Sequence, residues 1–341
     1  MLEKPSLEDK RITDCIRAEY GISARSLEFL PLGADRDTAV YRIVANDEKA
    51  FFLKLRRGEF CQASVVVPNF LFSQGINEII PSIPTQMGFP WANLPPYTMI
   101  LYPFVSGANG FEKELTDYQW IEFGAALKKV HTADYPDAII AGIRHEDFSP
   151  YWRDTLMRFL EQIQRETFED PVAAEAADFL KSKMSETVNL VSRAERLAQR
   201  LIKSSPEFIL CHGDIHAWNL LITAQGAMYM VDWDTLIIAP KERDLMFIAG
   251  GLGGTSRTPL QEETLFYQGY GQTGIDPFVL TYYRFERIVE DIAVFCAQLF
   301  QSEVIGEDRR QALEYMKSNF IPNGAVDLAF RSAGNLIGYL S

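Results

Sequence analysis

The residues best placed to do chemistry lie in EFILCHGDIHAWNLLITAQGAMYMVDWDT, positions 207–235. An apolar run at 208–211 delivers His212, Gly213 and Asp214 into a loop that continues through His216 and Trp218 to Asn219. A second apolar run at 227–231, set off by Gly226, ends in Asp232-Trp233-Asp234. Two short buried strands joined by a turn would bring Asp214, Asn219 and Asp232 close together. Phosphoryl transfer needs these residue types. One carboxylate orients the attacking hydroxyl and accepts its proton, while an amide oxygen and a second carboxylate hold magnesium against the phosphates. Each residue alone reads as an ordinary Asx turn. Three in this order, with Lys54 upstream in an apolar strand, do not.

The elements that must position them divide the chain. Residues 6–20 read as an amphipathic helix, with Ser6 as its N-cap and Gly21 as its stop. Extended runs at 26–32, 38–44 and 50–55 follow as an antiparallel meander. The next helix contains Pro68, so it starts or kinks there. Two further strands are expected at 82–89 and 98–104. After Ser106-Gly107 the pattern turns helical, opening on the capping box that starts at Thr116 and resuming from Ser149-Pro150, across 171–203 and from Asp276-Pro277. Strands first and helices later is the α+β layout. The expected architecture is bilobal: a small antiparallel-sheet lobe over residues 1–105 and a large helical lobe over 107–341.

Composition narrows the function classes. The 341 residues are 47% apolar, enough for a full core, and 33 Lys and Arg against 46 Asp and Glu give a net charge of −13. A nucleic-acid binder needs a basic face for phosphate, so no nucleic-acid partner is expected; an acidic protein suits a small cationic substrate. MLEKPSLEDK carries no apolar signal core, and no 18-residue window is free of charge and apolar throughout, so no membrane partner is expected. Cys15, Cys61, Cys211 and Cys296 are scattered, which reads as reduced thiols in a cytoplasmic protein, expected as a monomer.

The spacing of Asp214 and Asn219 is that of a kinase catalytic loop, and Asp232 falls where a magnesium-binding aspartate ends a strand. HGDIHAWN followed by VDWD resembles the aminoglycoside phosphotransferase and choline kinase family, relatives of the protein kinases. APKERDLMFI at 239–248, YYRFERIVEDIAV at 282–294 and PFVSGANGF at 103–111 look like its spectinomycin phosphotransferase branch. The resemblance implies a protein-kinase-like fold and ATP-dependent phosphorylation of an aminoglycoside or aminocyclitol hydroxyl, spectinomycin first, which inactivates the antibiotic. Asp214 matches the catalytic base, and Asn219 and Asp232 the Mg2+ ligands. Lys54 matches the lysine on the α- and β-phosphates. The turn from Gly33 through Asp35 to Thr38 matches the loop over the phosphates. Residues 99–106 match the hinge between the lobes, where the Pro103 carbonyl and Val105 N–H would meet the adenine edge, and Asp244 would brace the catalytic loop. His216 shapes that loop. A glutamate partner for Lys54 is hard to place, with Glu59 and Gln62 the nearest candidates. For a cationic acceptor the candidate residues are Trp233, Asp234, Tyr283, Arg284, Glu286, Arg287, Glu290 and Asp291, some of whose charges must pair internally.

Other readings are weaker. His212 and His216 stand four apart like a zinc pair, but Gly213 makes a poor helix and the metalloprotease glutamate is missing. GGLGG at 250–254 lacks dinucleotide-loop spacing and reads as a mobile connection. Cys211 beside His212 lacks an oriented third partner for a thiol nucleophile. Within the kinase class, choline, homoserine, a thio-sugar or hygromycin are alternative acceptors. A nucleotide-binding pseudokinase would not need Lys54, Asp214, Asn219 and Asp232 together.

Overall fold

The computed structural model describes residues 3–32, 37–204, 206–301, 307–334 and 336. The Gly33 and Asp35 expected over the phosphates lie outside the described residues. Helix α1 (Asp9–Tyr20) precedes strands β1 (Ala24–Leu30), β2 (Thr38–Ala45) and β3 (Ala50–Arg57). Helix α2 (Ala63–Ser73), β4 (Ala92–Leu94) and β5 (Tyr97–Pro103) follow, and the strands form an antiparallel sheet ordered β1-β2-β3-β5-β4. The period of two along β3 sorts its side chains. Leu53 and Leu55 join Tyr41, Ile43, Met99 and Leu101 against Ile12 and Ile16 of α1. Lys54, opposite Val40 and Ile100, therefore takes the other face. Tyr20 of α1 fixes its helix to the sheet through a 3.2 Å hydrogen bond from its hydroxyl to the Met99 carbonyl.

Several sequence expectations shift. α1 starts at Asp9 with Glu8 as an N-cap that makes no side-chain bond, so Ser6 is not the cap, whereas Gly21 closes the helix at φ 68°. α2 runs through Pro68 rather than starting there. The strand expected at 82–89 does not form. PSIPTQMGFP carries prolines that cannot donate to a ladder, and only the Ile83 N–H reaches the sheet, at the Leu101 carbonyl. Ala63, Val67 and Leu71 of α2 join the core of the large lobe rather than that of the small sheet.

Next come β6 (Gly107–Asn109), α3 (Asp117–Thr132), the short α4 (Asp137–Ile140) and β7 (Arg144–His145). Thr116 caps α3 in a full capping box with Gln119, as the sequence indicates. Then come α5 (Tyr151–Arg165), α6 (Pro171–Ser182), α7 (Met184–Leu201), β8 (Ile209–Cys211), β9 (Leu220–Thr223), β10 (Met228–Met230) and β11 (Ile237–Ala239). The chain continues through the short α8 (Glu242–Leu245), α9 (Pro259–Tyr270), α10 (Pro277–Phe300), α11 (Glu307–Ser318) and α12 (Ala325–Gly334). Two three-stranded sheets, β10-β9-β6 and β7-β11-β8, hold the 207–239 segment against the helices. The architecture is a kinase-like α+β fold. No helix of the described residues is long and apolar enough to cross a membrane.

Candidate active site

Strand β8 pairs antiparallel with β11, and the loop after it is fixed by Asp244, a fully buried carboxylate on α8. Asp244 accepts hydrogen bonds from the main-chain N–H of His212 at 2.8 Å and of Gly213 at 2.7 Å, and its Oδ2 lies 2.9 Å from His131 Nε2. Burial works against its charge, yet His131, His212 and the Gly213 N–H together hold its pKa below the usual carboxylate range. Gly213 must be glycine: at φ 84° a Cβ would sit 2.3 Å from the Thr235 carbonyl oxygen. His212 is buried and its pKa is lowered by that burial. Its Nδ1 accepts from the Asp214 N–H at 3.3 Å and its Nε2 meets the Val231 carbonyl at 3.1 Å. With both ring nitrogens engaged, His212 is not half of a zinc pair.

The loop then makes a single 3-10 turn, Ala217–Asn219, capped by His216. Asn219 donates its side-chain amide to the Asp214 main-chain oxygen at 2.7 Å, and its own carbonyl accepts from Val231 at 2.9 Å. That pins the amide so that its oxygen is the free end. Across the β9–β10 hairpin, Asp232 sits in the left-handed region at φ 63°, a strained position for a non-glycine residue. Lys54 Nζ reaches across from β3 to Asp232 Oδ1 at 2.9 Å and Asp234 Oδ2 at 2.7 Å. Burial opposes the Lys54 ammonium, but the two carboxylates outweigh it and raise its pKa; the same lysine lowers that of Asp232. α2 contains no acidic residue, so the partners of Lys54 are these aspartates rather than Glu59 or Gln62.

Asp214 is one-fifth exposed and held from two sides. His216 Nε2 lies 3.4 Å from its Oδ2, and Arg287 of α10 bonds its Oδ1. Burial would raise its pKa, but Arg287 and His216 more than offset this and hold it far below the carboxylate range. Arg287 also bonds Asp291 at 2.8 Å, one helical turn on. Glu290, beside them on α10, lies 3.7 Å from Arg243. Burial raises the Asp291 pKa, with Arg287 opposing and Glu290 adding to the rise.

The remaining acceptor candidates do not join this group. Trp233 is buried with its ring 4.6 Å from that of His212 and its indole N–H on the Met230 carbonyl at 3.1 Å. Asp234 faces Lys54 instead. Tyr283 is fully buried beneath the Arg243 guanidinium, 5.7 Å away. Arg284 clamps the Met246 and Ile248 carbonyls at 3.2 and 2.7 Å. Glu286 is a buried partner of Arg153 at 2.5 Å; burial pushes its pKa to about 7 against the pull of Arg153. On a helix of 3.6 residues per turn Glu286 points about 100° away from Arg287, so one run of charges cannot all face one cleft.

Two supports of the loop were not recognised as such from sequence. The 250–254 stretch is a close support rather than a mobile connection: Leu252 accepts from the Ala217 N–H at 3.0 Å, and a Cβ on Gly254 would lie 2.4 Å from the Gly110 carbonyl oxygen. Phe111 and Trp218, both exposed, stand 5.3 Å apart, with Trp218 inside the 212–219 loop. A tryptophan inside that loop was the available signal. Cys211 is buried, its thiol donating to the Ala239 and Pro240 carbonyls, and burial pushes its pKa well up, which excludes a ready thiolate.

Residues 28–278 match the family model of the phosphotransferase enzyme family. Among curated proteins none matches the chain. Among solved structures, a spectinomycin phosphotransferase in complex with ADP and spectinomycin is 34% identical, with 96% of this chain and 99% of that one covered at a TM-score of 0.89. An AMP-bound complex of spectinomycin phosphotransferase is 33% identical over 95% and 98% of the two chains, with a TM-score of 0.84. An aminoglycoside phosphotransferase from Alicyclobacillus acidocaldarius shares the fold at 13% identity, with 99% and 97% covered and a TM-score of 0.61.

Proposed function

The chain belongs to the phosphotransferase enzyme family and is a kinase with a hydroxyl acceptor, and from that premise we propose that it phosphorylates spectinomycin, or a closely similar aminocyclitol, from Mg-ATP. The observation that carries this reading is the likeness over 96% of the chain to a structure that holds ADP and spectinomycin together.

The geometry supports the following roles. ATP lies under the β3 face that carries Lys54, with Val40 and Ile100 flanking it on that face. The Phe104 N–H is engaged by the Ala50 carbonyl at 3.2 Å, which leaves the Pro103 carbonyl and the Val105 amide for the adenine edge. Lys54 moves from Asp232 and Asp234 onto the phosphates, where its charge is needed. Asn219 and Asp232 offer an amide oxygen and a half-exposed carboxylate, a hard oxygen set that fits magnesium. Asn219 and Asp232 would hold the ion, and it would supply charge neutralisation to the phosphates. Asp214 orients the acceptor hydroxyl in line with the γ-phosphorus and takes its proton, while Asp244 and Gly213 hold the loop that aims it. Asp291 and Glu290 provide anionic groups for the acceptor's ammonium groups.

The test is product identification. Spectinomycin incubated with the protein and Mg-ATP should gain one phosphoryl group by mass, and expression in a sensitive bacterium should raise tolerance to the drug. Phosphorylation of choline or homoserine with spectinomycin untouched would move the protein to a metabolic role.

A further inference from the structure

The carboxylate that has to receive the acceptor already carries a cation supplied by the acceptor side of the cleft. Arg287 Nη1 bonds Asp214 Oδ1, and its Nε bonds Asp291 Oδ1 at 2.8 Å. Its guanidinium lies 5.6 Å from the centre of the Phe247 ring, on the same aromatic wall as His216. Among the described residues the other partners of Asp214, His212, His216 and Asn219, come from its own loop; Arg287 comes from α10, which also bears Asp291 and Glu290. A guanidinium in that position fills the space beside the base where a positively charged group next to the reacting hydroxyl would have to sit. It is also tethered. If it swings off Asp214 it keeps Asp291, so release breaks one charged hydrogen bond rather than two.

We propose that Arg287 is a built-in stand-in for a cationic acceptor: it covers Asp214 before the acceptor binds and is displaced by an acceptor whose ammonium lies close to its reacting hydroxyl. The inference rests on the phosphotransferase reading above and deepens it by giving Arg287 a positioning role, because the reaction that it suppresses is transfer to water. In that side reaction a water oxygen bonds the γ-phosphorus as the bond to the bridging oxygen of ADP breaks. The water's proton passes through Asp214 to solvent, and ADP and inorganic phosphate are released. With Oδ1 covered by Arg287 and Oδ2 faced by His216, Asp214 has little room to orient that water.

The experiment measures ADP release from Mg-ATP without acceptor, and the spectinomycin KM, in wild type and Arg287→Gln, with Mg-ATP affinity and thermal unfolding as controls. The expected result is a rise in acceptor-free ADP release on the order of tenfold, the loss of one charged hydrogen bond, together with a lower spectinomycin KM because no cation has to be displaced. A residue that merely binds the drug would raise KM and leave acceptor-free release unchanged, and a purely structural one would lower both activities; either result overturns the proposal. Should the Gln variant fail to fold, Arg287→Lys serves. Its shorter point charge cannot bridge Asp214 and Asp291 together, so acceptor-free release rises by a smaller factor, and an unchanged rate overturns the inference. Failure of the underlying reading looks different: wild type would bind no Mg-ATP and modify no acceptor.

Discussion

Asp244→Asn exchanges one oxygen for an amide at the point where the catalytic loop is anchored. The buried carboxylate accepts from two main-chain N–H groups and lies within bonding distance of His131, at 2.7 to 2.9 Å. An asparagine keeps one acceptor oxygen and turns an NH2 toward the other donors. His131 can change tautomer and accept from it, but a main-chain N–H cannot, so the amide of His212 or Gly213 is left without a partner. A buried unpaired donor costs about 1–3 kcal/mol, and the remaining bonds each lose about 1 kcal/mol on becoming neutral. The loss of stability should therefore be about 3–5 kcal/mol, the range for breaking a buried charged network. The sign with pH follows from the lowered pKa. The stabilisation by Asp244 is present above its unfolded value of about 3.9 and is lost as pH falls through the folded value, so the deficit is full at neutral pH and shrinks only in acid. Urea unfolding at neutral pH reads the stability. Turnover should fall on the order of 10²-fold, because a loop displaced by about 1 Å misaims Asp214. A deficit below about 1 kcal/mol, or full turnover in a destabilised protein, would refute the anchoring role.

Four further outcomes are expected. Gly213→Ala should cost about 2–5 kcal/mol, from a positive φ and a Cβ 2.3 Å from the Thr235 carbonyl oxygen, measured by denaturant unfolding. Lys54→Met should lower turnover by about 10²–10³ and weaken nucleotide binding, with the acceptor KM little changed in steady-state kinetics. Glu286→Gln should leave the spectinomycin KM within about twofold of wild type, since Glu286 pairs with Arg153 behind the cleft; a large rise would return it to the acceptor site. Glu262, pushed by burial to about 7, accepts from the Gly250 N–H at 2.6 Å. Its raised pKa favours the folded state at low pH, and that contribution is lost as pH rises from about 4.5 through 7. Thermal unfolding of Glu262→Gln should therefore vary less over this range than that of wild type.

What could be read from the sequence was short-range. Asp214, Asn219 and Asp232 belong to one loop and one hairpin, so their approach follows from local spacing. The capping box at Thr116 and the αL stop at Gly21 are likewise chemistry between near neighbours. Contacts between distant segments were not legible. The carboxylates on Lys54 lie 178 and 180 residues downstream, and no helical periodicity in α2 could reveal them. The acceptor face was overdrawn because charges on α10 look alike in sequence, while rotation about the helix sends Glu286 to Arg153 and Arg284 to main-chain carbonyls. Trp233 and Tyr283 were expected to pack against the acceptor; their burial instead builds the floor under His212 and Arg243.

The most direct test of the central claim compares wild type with Asp214→Asn for spectinomycin-dependent ADP release, with Mg-ATP affinity measured on the same preparations. The account predicts release that requires the drug in wild type. In the variant it should fall by about 10²–10⁴, the range for removing a positioned acid–base group, with nucleotide affinity retained. Near wild-type release in the variant would contradict it.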